Sequence, residues 1–482
     1  MKSILLLAKK NNTVAVFKLF CLLSAVFFIT GCPNNKGGKN TTPTYPIGYR
    51  YPHIATDTTE LLVWLDPTTR DESLPGWIDS IKNLYGDVNT KSVCESCDSS
   101  LRLLGGAGIA NFIQTQTTCT QGKTNCGPSG GGNGIYWSLN FPVHFTDSIY
   151  KELHVVDSPQ DRQSTESAVV VAVFDTGDDP DETLLKKHFY KAPPGIVSCK
   201  GIGGNAGWNF VNDSKDWRDD YFANGGSKHG TVVSGFIVNQ EKEYGKNAIK
   251  ILPVKIHDSG GRSNLYHILC GLAYAQKLGA NIINASFGFY APKYRQTDTG
   301  LTPDVSATLL KAYMQHYLTD NKIIMVAAAG NKDDDNEKLI YPSMNPLGVR
   351  NLDSVSFYPA SLAPELWNVI AATTINVSMV CPQQNYSSHV VDIGVFADKD
   401  FVFQNPIAPS EAVIGTSFAT PIVSGKIAAN YFRIQPFLLP GVPSPSKSAI
   451  WEALGTTITQ TSTAATRPAS QLVNGRVTHK HS

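Results

Sequence analysis

The chain carries almost no excess of charge of either sign: 41 lysines and arginines stand against 40 aspartates and glutamates, a formal net charge of +1. No basic block or stripe breaks that balance, so nothing marks a surface for nucleic acid. Long hydrophobic runs are missing too. The apolar run near the start, Leu19 to Phe28, falls well short of the ~20 residues that a membrane-spanning helix needs. Repeats of solenoid type are absent, which excludes a stacked-repeat architecture. What the chain has in quantity is glycine, 40 residues, and proline, 28 residues, as expected of a turn-rich protein with long working loops. Its 482 residues, 42% of them hydrophobic, suffice for one large core and a smaller one.

The first 32 residues stand apart. Lys2, Lys9, Lys10 and Lys18 form a positive leader, and the short apolar run suits the core of a signal peptide. It ends in Ile29-Thr30-Gly31-Cys32, which resembles the lipobox of bacterial lipoproteins. That resemblance implies a signal peptide over 1–31 and a diacylglycerol on the thiol of Cys32. Residues 32–57 then form a tether, with Pro33 to Thr44 polar and aperiodic. The expectation is an exported protein, anchored by lipid to the periplasmic or cell-surface face of a bacterial envelope. Removing Cys21 and committing Cys32 leaves seven of nine cysteines. Cys94, Cys97, Cys119 and Cys126 cluster without zinc-ribbon spacing, so outside the cytoplasm they read as disulfide partners. An odd number also leaves at least one buried free thiol among the seven, which include Cys199, Cys270 and Cys381.

Two structural regions follow. Over 58–150, Glu60 to Leu65 and Leu101 to Leu104 read as strands and Gly76 to Tyr85 as a helix. A Gly-rich stretch, Cys126 to Gly134, then precedes partial alternation from Ile135 to Phe145. This predicts a small α+β domain, followed by a linker over 151–167 whose most polar part is Asp157 to Ser167. Over 168–482 the pattern changes. Continuous apolar runs at Ala168 to Phe174, Ile249 to Ile256, Asn281 to Ala285, Lys322 to Ala328 and Val369 to Ala372 read as strands covered on both faces. Helix-length stretches such as Leu265 to Leu278 and Ala307 to Leu318 lie between them. That alternation predicts a mainly parallel sheet between helical layers, with chemistry at the carboxyl ends of its strands.

Four segments carry candidate chemistry. Phe174-Asp175-Thr176-Gly177 places an aspartate at the end of the first buried strand, and His229-Gly230-Thr231 opens a stretch of small residues. Gly415-Thr416-Ser417-Phe418-Ala419-Thr420-Pro421 sets a serine between a glycine turn and another such stretch. A serine hydroxyl becomes a nucleophile when an imidazole takes its proton, and the imidazole needs a carboxylate to fix its tautomer. A helix beginning at the serine adds a backbone N–H where an oxyanion would form, and Asn331, in Ala328-Ala329-Gly330-Asn331, would supply a second donor. The order Asp175, His229, Ser417 is that of subtilisin among the serine hydrolase folds.

On these motifs the chain resembles the subtilisin-like serine proteases from about Ala168 to Val477, with Gly207 to Asn212, Ile251 to Ile256, Asn281 to Gly288 and Leu472 to Asn474 also similar. The resemblance implies a three-layer α/β fold and a serine endopeptidase working through an acyl-enzyme on Ser417. Gly261, Arg262, Ser263, Ser286, Phe287 and Gly288 would flank an extended protein or peptide substrate. Ala328, Ala329 and Gly330 would wall the pocket for the residue before the scissile bond. No cofactor is needed for catalysis, and the reading is of a monomer. Phe418 departs from the family's usual methionine, Lys228 from a common glycine, and Asp178 to Glu182 from the usual calcium-linked segment. The acidic residues Asp213, Asp216, Asp219 and Asp220 are candidates for structural calcium or for a solvated loop. The 58–150 domain has the place and size of a subtilase propeptide. The competing readings are a catalytically silent peptide-binding lipoprotein and a transpeptidase or cyclase on the same scaffold.

Overall fold

A computed structural model describes residues 60–68, 74–94, 97–119, 134–144, 149–152, 166–192, 207–220, 228–244, 247–290, 305–332, 349–376, 379–455, 460–461 and 476–479. The leader, Cys32, the tether, residues 157–165 of the polar linker and Leu472 to Asn474 lie outside them.

The N-terminal domain is built on β1 (Glu60–Leu65), β2 (Asn89–Cys94), β3 (Asp98–Gly105) and β4 (Ile135–Leu139), with helices over Leu74–Tyr85 and Ala107–Cys119. Its antiparallel sheet runs β2-β3-β1-β4. Leu74, Trp77 and Ile81 fall on one face of the first helix and are buried, the spacing that makes an amphipathic helix dock. In β1, Leu61 to Trp64 are all buried, so both faces of this sheet are covered. Alternation along β4 explains how: Trp137 meets Phe112 of the domain's own helix, and Tyr136 stacks beside Trp64 on the other face. There Trp64 meets Tyr313 of the following domain edge-on, at 5.1 Å between centroids. One continuous apolar core therefore joins the two domains.

Two short strands lead across, β5 (Pro142–His144) and β6 (Ile149–Glu152). The large sheet then begins with β7 (Glu166–Asp175), β8 (Trp208–Asn209) and β9 (Asn247–Lys255), followed by the short β10 (Arg262–Asn264) outside it. Next come β11 (Ile282–Ala285), β12 (Phe289–Tyr290), β13 (Ile324–Ala328), β14 (Phe357–Tyr358), β15 (Val369–Ile375) and β16 (Ile393–Phe396). The last are β17 (Phe403–Gln404), β18 (Glu411–Ile414), β19 (Gln460–Thr461) and β20 (Arg476–His479). The sheet order is β19-β20-β16-β15-β13-β11-β7-β9-β8, parallel throughout except for the β19–β20 edge.

The uninterrupted apolar run in β7 follows from this position. Val170, Ala172 and Phe174 join the core beneath helix Leu265–Lys277, while Val169, Val171 and Val173 join the core beneath helices His229–Tyr244 and Thr416–Ala429. Sequential strands alternate with helices on both faces, giving the three-layer α/β fold expected from the sequence. Helix Val305–Met314 extends into a π-helical turn over Gln315–Thr319, where the sequence pattern gave one continuous helix.

Candidate active site

The central strands end around one point. Asp175, the last residue of β7, is fully buried, and its Oδ1 accepts the Thr176 backbone N–H at 2.7 Å and Nδ1–H of His229 at 2.8 Å. His229 begins the helix His229–Tyr244, and the next residue explains how it comes so near. A Cβ on Gly230 would lie 2.0 Å from the Gly177 carbonyl oxygen, so only glycine lets the helix start against the aspartate loop. The exposed N–H groups of this first turn are used: Gly230 donates to Thr176 Oγ1, and Thr231 donates to the Asp219 carboxylate at 3.0 Å.

Ser417 is the second residue of helix Thr416–Ala429 and is buried. Its Oγ donates to the Ser286 carbonyl at 3.0 Å, and Ser286 Oγ donates back to the Ser417 carbonyl at 2.8 Å. Asn284 and Ser424 extend this tie from β11 to the middle of the serine helix. Beside Ser417, the Phe418 ring lies 5.4 Å from the His229 imidazole and 5.8 Å from Phe236. The phenylalanine that stands where a methionine is usual thus forms an apolar wall against the histidine. The two helices close on each other at Gly425, where a Cβ would stand 2.6 Å from the Ile237 carbonyl oxygen.

Asn331 follows β13. Its Oδ1 accepts the backbone N–H and hydroxyl of Thr416 at 2.9 and 3.1 Å, while Gly330 N–H donates to the same hydroxyl. The carbonyl end of the amide is thus committed to the serine helix. Ser286, Phe287 and Gly288 form the turn between β11 and β12. Ala328, Ala329 and Gly330 cap β13, and Gly261, Arg262 and Ser263 form the turn and start of β10. Lys228 pairs with Asp179 at 3.1 Å, away from the Asp175–His229 contact.

The acidic residues considered for calcium each make contacts within the protein. Asp219 holds the histidine helix, Asp220 pairs with buried Lys255 at 2.6 Å, and Asp213 accepts from the Trp208 indole at 3.0 Å. Asp216 accepts from the Arg218 backbone. Among the described residues, no group of three or more His, Cys, Asp or Glu side chains is gathered to hold a metal ion. The cysteines divide unexpectedly. Cys97 and Cys381 are disulfide-bonded, whereas Cys94, read from its spacing as a disulfide partner, is a buried free thiol, as is Cys270.

Three features lay beyond sequence reasoning. Asp178 is completely buried three residues past Asp175, and burial pushes its carboxyl well above the usual range, with the charges of Asp219, Asp175 and Asp179 adding to the effect. Second, Pro142–His144 pairs antiparallel with Arg262–Asn264, the edge assigned to substrate, and Ile149–Glu152 pairs with Glu411–Ile414 just ahead of the serine helix. Partial alternation after Ile135 was the only signal of this. Third, the ring of Phe357 sits against both Gly288 and Gly330.

Residues 166–467 match the subtilase family. A stretch of 125 residues, 25% of the chain, is 35% identical to a cell wall-associated protease of Bacillus subtilis (strain 168); the match spans 12% of that protein's length. Among solved structures, the epidermin leader peptide processing serine protease EpiP of Staphylococcus aureus superposes with a TM-score of 0.52 at 16% identity, covering 88% of this chain and 96% of that one. A second crystal structure of that protease, a serine-to-alanine mutant, gives the same score and identity and covers 98% of its chain.

Proposed function

This chain belongs to the subtilase family, and we propose that it is a serine endopeptidase whose nucleophile is Ser417. The observation that carries this reading is the Asp175–His229 hydrogen bond of 2.8 Å, set beside a serine at a helix N-terminus. In this mechanism Ser417 Oγ attacks the scissile carbonyl carbon while His229 Nε2 takes its proton. Asp175 holds Nδ1–H and stabilises the imidazolium. The developing oxyanion accepts from Asn331 Nδ2 and the backbone N–H of Ser417. His229 then passes the proton to the leaving amine, and water, deprotonated by the same imidazole, hydrolyses the acyl-enzyme. Substrate enters as an added strand along Arg262–Asn264, so an unfolded or looped polypeptide is the natural substrate.

The N-terminal domain acts on the same cleft. The chain's own segment Pro142–His144 takes the edge Arg262–Asn264 that a substrate would use, and Ile149–Glu152 pairs with Glu411–Ile414 just ahead of the serine helix. This supports a built-in inhibitor, and it favours a first cut between His144 and Ile149 over one in the polar linker. The lipobox-like sequence at Cys32 supports export and lipid anchorage, so the N-terminal domain would link the peptidase to a membrane.

The test is fluorophosphonate labelling of wild-type and Ser417→Ala protein, in membrane and soluble fractions, with the labelled species sized. Labelling that requires Ser417 establishes the activated nucleophile, and its fraction and mass report whether the active form stays anchored. Absence of labelling in folded wild-type protein, even after limited proteolysis to clear the cleft, overturns the proposal in favour of a silent binding lipoprotein. Product masses distinguish hydrolysis from transfer to an amine.

A further inference from the structure

The cleft that starts at Ser417 is bounded by Ser286–Gly288 on one side and Ala328–Gly330 on the other, and the side chain preceding the scissile bond would enter between them. Glycines at Gly288 and Gly330 leave room between these walls, but that room is filled. A Cβ on Gly288 would lie 2.1 Å from Phe357 Cε1, and a Cβ on Gly330 would lie 2.8 Å from the same atom. One edge of the Phe357 ring therefore touches both walls. The ring is buried and well held. Its strand β14 pairs with β12, Tyr290 packs edge-on against it at 5.0 Å, and its backbone N–H donates to Ser361 Oγ at 2.8 Å. Behind it, Tyr290 donates to Asn385 Oδ1 at 3.1 Å, and Asn385 Nδ2 donates to the Ala329 carbonyl at 2.8 Å. The plug and one wall are thus tied together, which resists displacement by an incoming side chain.

We infer that Phe357 is a specificity-determining residue, closing the pocket so that the enzyme cleaves after small side chains, namely glycine, alanine and serine. The inference rests on the peptidase reading above and deepens it. A large side chain would have to expel a buried ring from a packed site, whereas a small one needs only the mouth of the pocket. Steric exclusion of this kind discriminates more strongly than the roughly 10- to 200-fold attached to one methylene in an apolar pocket.

The experiment is a peptide library varied at the position before the scissile bond, read by mass spectrometry. Wild-type, Phe357→Gly and Phe357→Leu proteins, each produced full-length and then cut by limited proteolysis to clear the cleft, are compared at concentrations set by fluorophosphonate titration. Wild-type is expected to favour alanine, serine or glycine over phenylalanine and leucine by about 100-fold or more in kcat/KM. Phe357→Gly should raise kcat/KM for phenylalanine at least about tenfold, with alanine changed by only a few-fold; Phe357→Leu should move the profile the same way by less. Titratable wild-type enzyme that prefers aromatic or long aliphatic residues overturns the inference and leaves the peptidase reading standing. So does a titratable Phe357→Gly enzyme with an unchanged profile. If Phe357→Gly does not fold, the wild-type and Phe357→Leu profiles decide. Wild-type enzyme that cannot be titrated even after limited proteolysis to clear the cleft removes the peptidase reading and this inference with it.

Discussion

In the proposed mechanism Asp175 and Asn331 do different work beside Ser417, and kinetics should separate them. Asp175 holds a proton on His229 Nδ1 through one hydrogen bond at 2.8 Å. Asp175→Asn keeps the shape but presents an N–H to that nitrogen, favouring the wrong tautomer, so kcat should fall about 10⁴-fold. In that mechanism Asn331 would act only when the oxyanion appears; Asn331→Ala should lower kcat by about 10² to 10³, the loss known for such a donor in a subtilisin, with KM little changed. Both are measured on one fluorogenic peptide. A third residue sets a pH limit on the fold. His267 lies in the first turn of the helix that follows β10, and burial brings its pKa down from 6.5 to about 4. The folded state thus binds the proton more weakly than the unfolded chain. The stability linked to His267 is fully present above pH 6.5 and is lost as pH falls from there toward 4. Melting curves across that window should show a slope in wild-type protein that His267→Gln reduces.

Glycine contacts decide how near the helices come to the catalytic strands, and these contacts are the testable feature at the level of elements. Gly230→Ala would push a methyl into the Gly177 carbonyl and lift the start of helix His229–Tyr244 away from Asp175. The expected cost is about 1 to 3 kcal/mol in stability, together with loss of fluorophosphonate labelling in protein that is still folded at 25 °C. Retained labelling at wild-type rate would mean that the helix can shift without breaking the His229–Asp175 contact. The sequence was informative about this layer for a physical reason. Strands buried on both faces are apolar along most of their length, as Val169 to Phe174 is, and close helix approach demands small residues, as in His229 to Gly235 and Gly415 to Thr420. What escaped notice had no local signature. Pro142–His144 gains its meaning only from the distant edge it pairs with, and Phe357 matters because the fold brings it between Gly288 and Gly330. Cys94 was misread because spacing among cysteines ignores where the strand turns each thiol, and this one faces the helix that carries Cys270.

At the scale of the whole molecule, the proposed anchorage and the proposed activation would compete. If the N-terminal domain inhibits the cleft and is cut free, a lipid at Cys32 would leave with it. The interface resolves this conflict. Trp64, fully buried, meets Tyr313 and His316 across the boundary, and Ser92 bonds the Tyr266 hydroxyl at 2.8 Å. One apolar core runs from the N-terminal sheet through helices Leu265–Lys277 and Val305–Met314 to the central sheet. A chain break between His144 and Ile149 severs none of these contacts. The cut protein should therefore keep its N-terminal domain bound while the segments lying in the cleft become free to leave, so that activity appears without release from the membrane. Two fragments should co-elute on size exclusion under native conditions and separate in denaturant under reducing conditions. Trp64→Ala, which deletes the largest side chain at the boundary and costs about 3 to 5 kcal/mol for a buried aromatic, should let the fragments part at micromolar concentration and move the labelled peptidase into the soluble fraction. A cut wild-type enzyme whose fragments separate natively would mean that the shared core is too weak to serve as a tether, and that activation and release are one event.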